Sequence, residues 1–351
     1  MSDAPSVASA PTLTTDTVRA GIRGGVGVIT LDRAKALNAL TTPMVEAIDT
    51  VLHDWETAGL RAVVLDSASP KAFCAGGDIR AVQENSLAGD PEASEQFFAT
   101  EYRLNARIAE YPVPFVSLID GICMGGGMGL SIHGTFRVVS GKAVLSMPET
   151  GIGFFPDVGA SYFLSRLPGA LGVYLGLTGA RVSAADALYT GLATHYIDGV
   201  AIELVSAALI DHPNRSVDET LRALGSPSPV AASTLAGHRT EIDWCFSADT
   251  ITGIDKRLSA TGGDWAEQTR ATLARLSPQS LQLTLELLSW GRQRSLRECL
   301  EVELAVTRNV IRTPDFIEGI RATLVDKDRN PSWGASQFAG LDAVGLPRWK
   351  Q

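Results

Sequence analysis

Apolar runs of strand length alternate with amphipathic stretches over the first part of the chain. Four runs are rich in apolar residues and end at glycine or polar positions: residues 25–31, 60–66, 114–120 and 137–140. Between the first two, apolar positions keep the spacing of one helical face: Met44, Ile48, Val51, Leu52 and Trp55. The alternation predicts an α/β sheet covered by helices.

Helix start signals continue this pattern towards the end of the chain. Thr42 followed by Pro43 predicts an N-cap and a first helical residue. Three later signals also predict helices: Ser277-Pro278, the capping box of Ser295 with Glu298, and Thr313-Pro314. Residues 202–260 are less regular and rich in turn signals, which indicates a linker or subdomain boundary. We expect a flexible tail over 1–16, a core over 17–200 and a mainly helical region over 201–351.

Composition narrows the classes of function. Hydrophobic residues make up 45% and charged residues 20% of the 351 positions, which is typical of a globular protein. The net charge of −9 argues against nucleic acids and anionic membrane surfaces as partners. The chain shows no apolar run near the roughly 18 residues that span a bilayer, and its first eleven residues do not resemble a targeting signal. The four scattered cysteines predict a reducing, cytoplasmic location and no metal site.

Residues 124–130 contain four glycines among seven positions, directly after a predicted strand. The pattern predicts a strand, a glycine loop and a brief helix over 130–133 that ends at Gly134. Unpaired amides and the positive end of a helix stabilise an anion or a developing oxyanion. Close packing of the loop against the helix explains the same glycines equally well.

A second glycine loop, residues 73–78, follows the predicted strand over 60–66. Its Gly76 and Gly77 leave backbone amides open to a ligand. Two such amides from different loops, converging on one point, would form an oxyanion hole. The pair of loops is therefore stronger evidence for a site than either loop alone.

Two carboxylates lie eight residues apart in the loop over 147–159, at Glu149 and Asp157. Paired carboxylates in a partly dry pocket can divide acid and base roles, because proximity and burial separate their pKa values. The alternatives are structural: Asp157 suits an N-cap of the helix through Tyr162, and Glu149 suits a solvated loop position.

A third carboxylate, Glu101, falls on an apolar helical stripe with Phe97, Leu104 and Ile108. A carboxylate that faces a core is costly unless it is paired or lines a cavity. A slightly rotated helix would instead leave Glu101 at the rim.

Other candidates have simpler interpretations. His133 has no catalytic partner at a recognisable spacing, which favours a hydrogen-bonded structural histidine. Cys74 and Cys123 flank the glycine loops without a neighbouring histidine, so we interpret both as packing residues.

Taken together, these motifs resemble the enoyl-CoA hydratase/isomerase (crotonase) superfamily, and most closely its branch that hydrolyses 3-hydroxyisobutyryl-CoA, an intermediate of valine breakdown. The resemblance covers nearly the whole chain after the tail. It is carried by residues 72–79, 121–130 and 148–157, and by shorter matches at 38–40, 101–102, 178–179, 191–195, 277–278, 318–319 and 326–328.

The resemblance implies an α/β fold: a crotonase-like spiral core of ββα units with a C-terminal helical region. It implies that the amides of Gly77 and Gly126 bind a thioester carbonyl and that Glu149 is the catalytic carboxylate. Asp157 and Glu101 are implied to hold the substrate hydroxyl or to position water. Arg33, Lys35 and Lys71 match the CoA-binding region loosely. The substrate is then a small-molecule acyl-CoA, with no separate cofactor. The resemblance leaves the homo-oligomer open, because crotonase relatives often form a trimer or hexamer and hydrolases of this kind can be less assembled.

The chain departs from the hydratase pattern at Gly129. Hydratases of this superfamily carry a second glutamate at this position, and glycine cannot do acid-base work. The departure disfavours hydration and isomerisation and favours hydrolysis of a 3-hydroxyacyl-CoA. Two alternatives stay open at this level: an enoyl-CoA hydratase or isomerase that tolerates Gly129, and a non-catalytic acyl-CoA-binding protein on the same fold.

Overall fold

Two β-sheets form the centre of the computed structural model, which describes residues 13–87 and 91–334. The larger sheet has the strand order β1-β2-β3-β4-β6-β8-β11, and the smaller has the order β10-β9-β7-β5. The strands of the described residues are β1 (Leu13–Thr14), β2 (Val18–Arg23), β3 (Val26–Leu31), β4 (Ala62–Ser67), β5 (Ala72–Cys74), β6 (Phe115–Ile119), β7 (Ile122–Met124), β8 (Phe136–Val139), β9 (Val144–Ser146), β10 (Val182–Ser183) and β11 (His195–Tyr196).

The four predicted strands are confirmed as β3, β4, β6 and β8, which pair side by side in parallel. Antiparallel pairs lie at the edges, where β1 pairs with β2, β2 with β3, and β10 with β9. Residues 1–12 of the predicted tail lie outside the described residues, whereas Leu13–Thr14 already belongs to the sheet.

Helices occupy most of the remaining chain. Their bounds are α1 (Thr42–Trp55), α2 (Ile79–Leu87), α3 (Pro91–Ala109), α4 (Gly126–Ile132), α5 (Ala160–Phe163), α6 (Leu171–Thr178), α7 (Ala184–Thr190), α8 (Val205–Asp211), α9 (Val217–Leu224), α10 (Thr234–Gly237), α11 (Arg239–Phe246), α12 (Ile251–Thr261), α13 (Gly263–Leu273), α14 (Pro278–Gly291), α15 (Leu296–Val310) and α16 (Pro314–Ile320). Within the part of the chain that the structure describes, none is long and apolar enough to cross a membrane.

Both faces of the larger sheet are buried, and alternate residues of β4 show this. Val63 and Leu65 point into the main core, whereas Ala62 and Val64 point into a second core on the opposite face. Helices α8 and α9 cover that second face. A parallel strand buried on both sides reads as a continuous apolar run, which explains the uninterrupted runs in the sequence.

The helix start signals are confirmed with one correction. The hydroxyls of Ser277, Ser295 and Thr313 accept hydrogen bonds from backbone amides in the first turns of α14, α15 and α16, and Ser295 with Glu298 forms the predicted capping box. The N-cap of α1 is Thr41 rather than Thr42, and its side chain makes no capping hydrogen bond. The error is one residue, because two adjacent threonines precede Pro43.

The helix after the glycine loop begins earlier than predicted. Helix α4 starts at Gly126 and already contains three of the four glycines, so the prediction of a helix over 130–133 is wrong at its start. Gly125 is the N-cap, with φ +48°. A Cβ at Gly127 would lie 2.3 Å from the carbonyl oxygen of Cys74, so this glycine is needed where α4 packs on β5.

Candidate active site

A cavity of about 420 Å³ opens between the two glycine loops and the loop over 147–159. It brings together five of the predicted site residues: Gly77, Glu101, Gly126, Glu149 and Asp157. Apolar side chains form much of the remaining wall, including Ile79, Phe98, Ile152, Phe154, Leu276 and Leu324. A mostly apolar pocket with a few converging polar groups is typical of a small-molecule site.

The two glycine loops meet at one wall of this cavity. A Cβ at Gly76 would lie 3.2 Å from the carbonyl oxygen of Met124 and 3.6 Å from the amide nitrogen of Gly126. Gly126 is the first residue of α4, so its amide has no partner one turn earlier in the helix. Gly77 follows Gly76 on the other loop and also lines the cavity. The convergence of amides that an oxyanion hole requires is therefore geometrically available.

Glu149 is buried, with 7% of its surface exposed, so the interpretation as a solvated loop residue is wrong. It begins a single 3-10 turn, Glu149–Ile152, which Gly153 closes in the left-handed conformation at φ +72°. Its Oε1 lies 2.7 Å from the position of a Cβ at Gly125, and its Oε2 is buried without a hydrogen-bond partner among residues 13–87 and 91–334. The carboxyl group therefore lies against the glycine loop.

Asp157 does not cap a helix. The N-cap of α5 is Gly159, which has no side chain to accept a capping hydrogen bond. Val158 and Gly159 have φ values of +52° and +84°, and this turn separates Asp157 from the start of the helix. The Asp157 carboxylate instead accepts a hydrogen bond of 2.7 Å from the hydroxyl of Tyr102 inside the protein.

Glu101 faces the interior from helix α3, with 2% of its surface exposed, so the rim position is wrong. Its Oε1 would be only 2.2 Å from a Cβ at Gly126, and this oxygen has no hydrogen-bond partner in the described residues. Glu101 and Glu149 therefore contact consecutive glycines of the same loop from two directions.

Burial raises the pKa values of all three pocket carboxyl groups. The pKa of Glu149 is raised well above its ordinary value by burial and then by the charges of Asp157 and Glu101. The pKa of Glu101 is raised by burial and by Asp157. Burial also raises the pKa of Asp157, to about 7, but the hydrogen bond from Tyr102 opposes the rise. Of the three carboxyl groups, Asp157 is therefore the one whose ionised form is stabilised most by its surroundings.

This arrangement predicts that Asp157→Asn stabilises the protein at alkaline pH. The folded-state pKa is raised from 3.8 to about 7, so the wild type loses stability progressively as the pH rises between these two values, where the unfolded chain has already lost this proton. An amide carries no charge and can still accept from Tyr102. We expect the melting temperature of the variant to exceed that of the wild type by a few degrees at pH 8, with the difference shrinking towards pH 4.

Calorimetric scans of both proteins across this pH range are the measurement. The N-cap role would instead give a loss of about 1 kcal/mol that does not depend on pH in this way. A variant that is less stable than the wild type at pH 8 would contradict the assignment of Asp157 as a buried, costly charge.

The three basic residues with a loose match do not line the cavity. Arg33 forms an ion pair of 2.8 Å with Asp78, the residue that follows Gly77. Lys35 and Lys71 are exposed to solvent. Arg33 therefore lies beside the second glycine loop, while the two lysines lie on the surface.

Two buried groups behind Asp157 escaped the sequence interpretation. Tyr102 entered only as part of a family motif, and Glu303 did not enter at all. Glu303 lies on α15, fully buried, and accepts hydrogen bonds from the amides of Gly159 and Ser161 at 2.6 and 2.9 Å. Burial raises the pKa of Glu303 to about 8. The sequence did contain a signal for Glu303, because this residue lies on the apolar helical stripe of Cys299 and Val306. Glu101 lies on an apolar helical stripe in the same way.

The C-terminal region supplies one wall of the cavity. Thr323 and Leu324 line it from a π-helical turn, Arg321–Val325. The Arg80 guanidinium on α2 donates a hydrogen bond of 2.8 Å to the carbonyl oxygen of Leu324. Arg321 also forms ion pairs with Glu318, Asp326 and Asp328, so the 326–328 turn is tied to this segment.

The structural interpretations of the histidine and cysteines agree with the geometry. The His133 ring lies 2.7 Å from the carbonyl oxygen of Val158, so its Nε2 donates the proton in this contact. Burial lowers the pKa of His133 to about 4, which leaves the ring neutral. Cys74 and Cys123 are buried, and burial raises the pKa of both thiols, that of Cys123 to about 12. Both thiols therefore stay protonated at neutral pH, so neither sulfur acts as a nucleophile.

Position 129 has no room for a side chain. A Cβ at Gly129 would lie 2.8 Å from the Cβ of Val158 and 2.9 Å from the side-chain nitrogen of Asn105. Real Cβ atoms do not approach this closely without rearrangement of their neighbours. The glycine at this position is therefore built into the packing between α3, α4 and the loop that carries Asp157.

Comparisons with known proteins agree with one another on the family. A family model described as enoyl-CoA hydratase/isomerase matches residues 26–345. A 3-hydroxyisobutyryl-CoA hydrolase, mitochondrial, from Danio rerio is 43% identical over 325 residues, which cover 91% of this chain and 85% of the relative. The protein of the same name from Homo sapiens is 40% identical, covering 89% of this chain and 82% of the relative.

Solved structures give the same architecture. A carnitinyl-CoA dehydratase from Mycobacterium thermoresistibile superposes with a TM-score of 0.88 at 40% identity, covering 95% of this chain and 97% of that one. An enoyl-CoA hydratase from Rhodobacter sphaeroides 2.4.1 gives a TM-score of 0.83 at 39% identity, with 94% of each chain covered. The predicted fold class, a crotonase-like α/β core with a C-terminal helical region, is confirmed.

Proposed function

Since this chain belongs to the enoyl-CoA hydratase/isomerase family, we propose that it hydrolyses the thioester of a 3-hydroxyacyl-CoA and releases the 3-hydroxy acid and free CoA. The substrate that we propose is 3-hydroxyisobutyryl-CoA, the compound in the names of the curated relatives. This reaction would place the protein in the breakdown of valine.

One observation favours hydrolysis of the thioester over addition of water to a double bond. Glu149 and Asp157 share the cavity beside the glycine loops, while position 129 is closed by Val158 and Asn105. The resemblance to the crotonase superfamily implies a second glutamate in hydratases at the position of Gly129. The cavity therefore offers carboxylates for hydrolysis and lacks the acid that water addition to a double bond would need from α4.

The chemistry follows from the roles that we propose for the lining groups. The amides of Gly77 and Gly126 bind the thioester oxygen and stabilise the tetrahedral oxyanion. Glu149 acts either as a general base on water or as a nucleophile that forms a mixed anhydride, which water then cleaves. In both routes the C–S bond breaks, and CoA leaves as a thiolate that takes up a proton.

Both roles require Glu149 in its ionised form. Burial, and then the charges of Asp157 and Glu101, raise the pKa of Glu149 and make its carboxylate a stronger base. The activity therefore falls as the pH decreases and Glu149 gains a proton. Asp157 and Glu101 are proposed to hold the substrate hydroxyl or to position water, because both point into the same cavity.

Coenzyme A enters as part of the substrate, and the proposed reaction needs no other cofactor. Arg33, Lys35 and Lys71 are proposed to contact the phosphates and adenine of CoA. The position of Arg33 beside Asp78 supports its part of this proposal, because it places a cation next to the second glycine loop. A cation there would offset locally the acidic charge of the whole protein.

A second candidate function comes from the names of the solved relatives, a dehydratase and a hydratase. Both reactions add or remove water at a carbon–carbon bond and need a positioned acid-base pair. The closed position 129 opposes this candidate. A non-catalytic acyl-CoA-binding protein is opposed by the three carboxyl groups that line the cavity.

The experiment that tests these functions is a panel of acyl-CoA substrates. Free thiol release from 3-hydroxyisobutyryl-, 3-hydroxypropionyl- and crotonyl-CoA measures hydrolysis, and the enoyl absorbance of crotonyl-CoA measures hydration. We expect rapid thiol release from the 3-hydroxy substrates and a stable enoyl absorbance. Loss of enoyl absorbance without thiol release would replace the proposal by the hydratase, and no turnover of any substrate would favour the binding protein.

Compartment and assembly stay predictions of the sequence. The four cysteines are free and buried, which suits the reducing cytoplasm that we expect. The curated relatives, in contrast, are named as mitochondrial. The oligomeric state stays open between a trimer or hexamer and a less assembled form.

A further inference from the structure

Tyr102 lies directly behind Asp157 and is almost completely buried. Its hydroxyl is 2.7 Å from Oδ2 of Asp157 and 3.1 Å from the hydroxyl of Thr307 on α15. We propose that Tyr102 is a positioning residue. Its hydroxyl donates to Asp157 and holds that side chain as an ionised acceptor at the cavity wall. A hydrogen bond from Thr307 directs the Tyr102 proton towards Asp157.

The direction of the hydrogen bonds follows from counting protons. A tyrosine hydroxyl has one proton, and an ionised carboxylate can only accept. When Tyr102 donates to Asp157, the contact with Thr307 must therefore run from the threonine hydroxyl to the tyrosine oxygen. This order favours the ionised state of Asp157, since a charged carboxylate accepts a stronger hydrogen bond than the carbonyl oxygen of a protonated carboxyl group. Hydrogen bonds in such a chain strengthen one another.

Helix α15 supports Asp157 in a second way. Glu303 lies one turn before Thr307 and holds the amides of Gly159 and Ser161, two and four residues after Asp157. The Ser161 hydroxyl donates to the same carboxyl group at 2.5 Å. Glu303 thus fixes the backbone that carries Asp157, while Thr307 and Tyr102 fix the side chain.

Asp157 lies among other acidic groups, and the hydroxyl of Tyr102 is the side-chain group that stabilises its charge. The charge of Asp157 raises the pKa values of Glu101, Glu149 and Glu303, from α3, the 147–159 loop and α15. The nearby His133 is neutral, because burial lowers its pKa to about 4. The hydrogen bond from Tyr102 lowers the pKa of Asp157 against the effect of burial. Removal of this one donor should therefore raise that pKa.

The direct test is a titration of Asp157 by NMR in protein labelled with carbon-13 at the aspartate carboxyl groups. Asp157→Asn assigns the signal. We expect Tyr102→Phe to raise the pKa of Asp157 by about one unit or more, because a hydrogen bond to a charged group has this value. Tyr111→Phe is the matched control, since its hydroxyl donates to the carbonyl oxygen of Leu52 away from the cavity. It should leave the Asp157 titration unchanged.

A second variant keeps the test decisive if Tyr102→Phe does not fold. Thr307→Val keeps the shape of the side chain and removes its proton, so it should raise the pKa of Asp157 in the same direction by a smaller amount. An Asp157 titration that is identical in the wild type and in the folded variants overturns the proposal. A purely structural role for Tyr102 would lower the melting temperature without this shift.

The importance of Asp157 for turnover rests on the proposed function, but its titration does not. Thiol release is measured on the same samples, and we expect about a tenfold loss of kcat/KM in Tyr102→Phe at neutral pH. A wild type that releases no thiol overturns the proposed function and leaves the NMR result standing. A normal kcat/KM together with an unshifted titration overturns the positioning role.

Discussion

Glu149→Gln is expected to lower kcat/KM for 3-hydroxyisobutyryl-CoA by about 10³-fold or more, because an amide can be neither a base nor a nucleophile. The substitution keeps the shape of the side chain and removes a carboxyl group whose pKa is raised by burial. The protein should therefore stay folded, and its affinity for CoA should be unchanged. Thiol release, calorimetric binding of CoA and thermal melting are the measurements.

The matched control for this variant is Glu267→Gln. Glu267 is exposed on α13, so the same chemical change there should leave the activity unchanged. Activity near that of the wild type in Glu149→Gln would show that the catalytic assignment is wrong. Loss of CoA binding together with activity would instead assign Glu149 to substrate binding.

Gly126→Ala is expected to reduce both activity and stability. The added Cβ would lie 2.2 Å from Oε1 of Glu101 and 3.2 Å from a methyl group of Leu40. Overpacking of this kind costs about 1–3 kcal/mol. Because Gly126 and Glu101 both line the cavity, their displacement should lower kcat/KM by about 10²-fold, which is the effect of losing one oxyanion-hole donor.

Two further variants separate these effects. Gly237→Ala is the control, since no atom lies within 4 Å of its added Cβ, and it should resemble the wild type. The double variant Gly126→Ala/Glu101→Ala removes the carboxyl group that the new Cβ meets, so it should recover stability but not activity. A Gly126→Ala protein with wild-type melting and turnover would contradict the close contact between Glu101 and the glycine loop.

Much of the candidate site was predictable because its signals are local. A carboxylate on an apolar helical stripe has to be paired or line a cavity, which identified Glu101. The same rule, applied to α15, would have identified Glu303. The glycine clusters marked two places of close backbone approach, although Gly127 serves packing, whereas Gly76, Gly77, Gly125 and Gly126 line the cavity.

Other features of the site depend on contacts between residues that are far apart in the chain. Whether Asp157 caps a helix or faces the cavity depends on the turn at Val158 and Gly159 and on Tyr102, which comes from another helix. The start of α4 was missed because glycine is a poor helix former by propensity. Packing against β5 overrides that preference.

The sequence by itself determined four strands of the larger sheet, the starts of α1, α14, α15 and α16 to within one residue, the two glycine loops and three candidate carboxylates. Period, capping and turn chemistry act within a few residues, which is why these features were predictable. Only the tertiary structure decided that these loops share one cavity and that Thr323 and Leu324 close it. It also decided that Tyr102, Thr307 and Glu303 support Asp157. Contacts between residues 55 to 205 positions apart leave no periodic signal, since they arise only when the core packs.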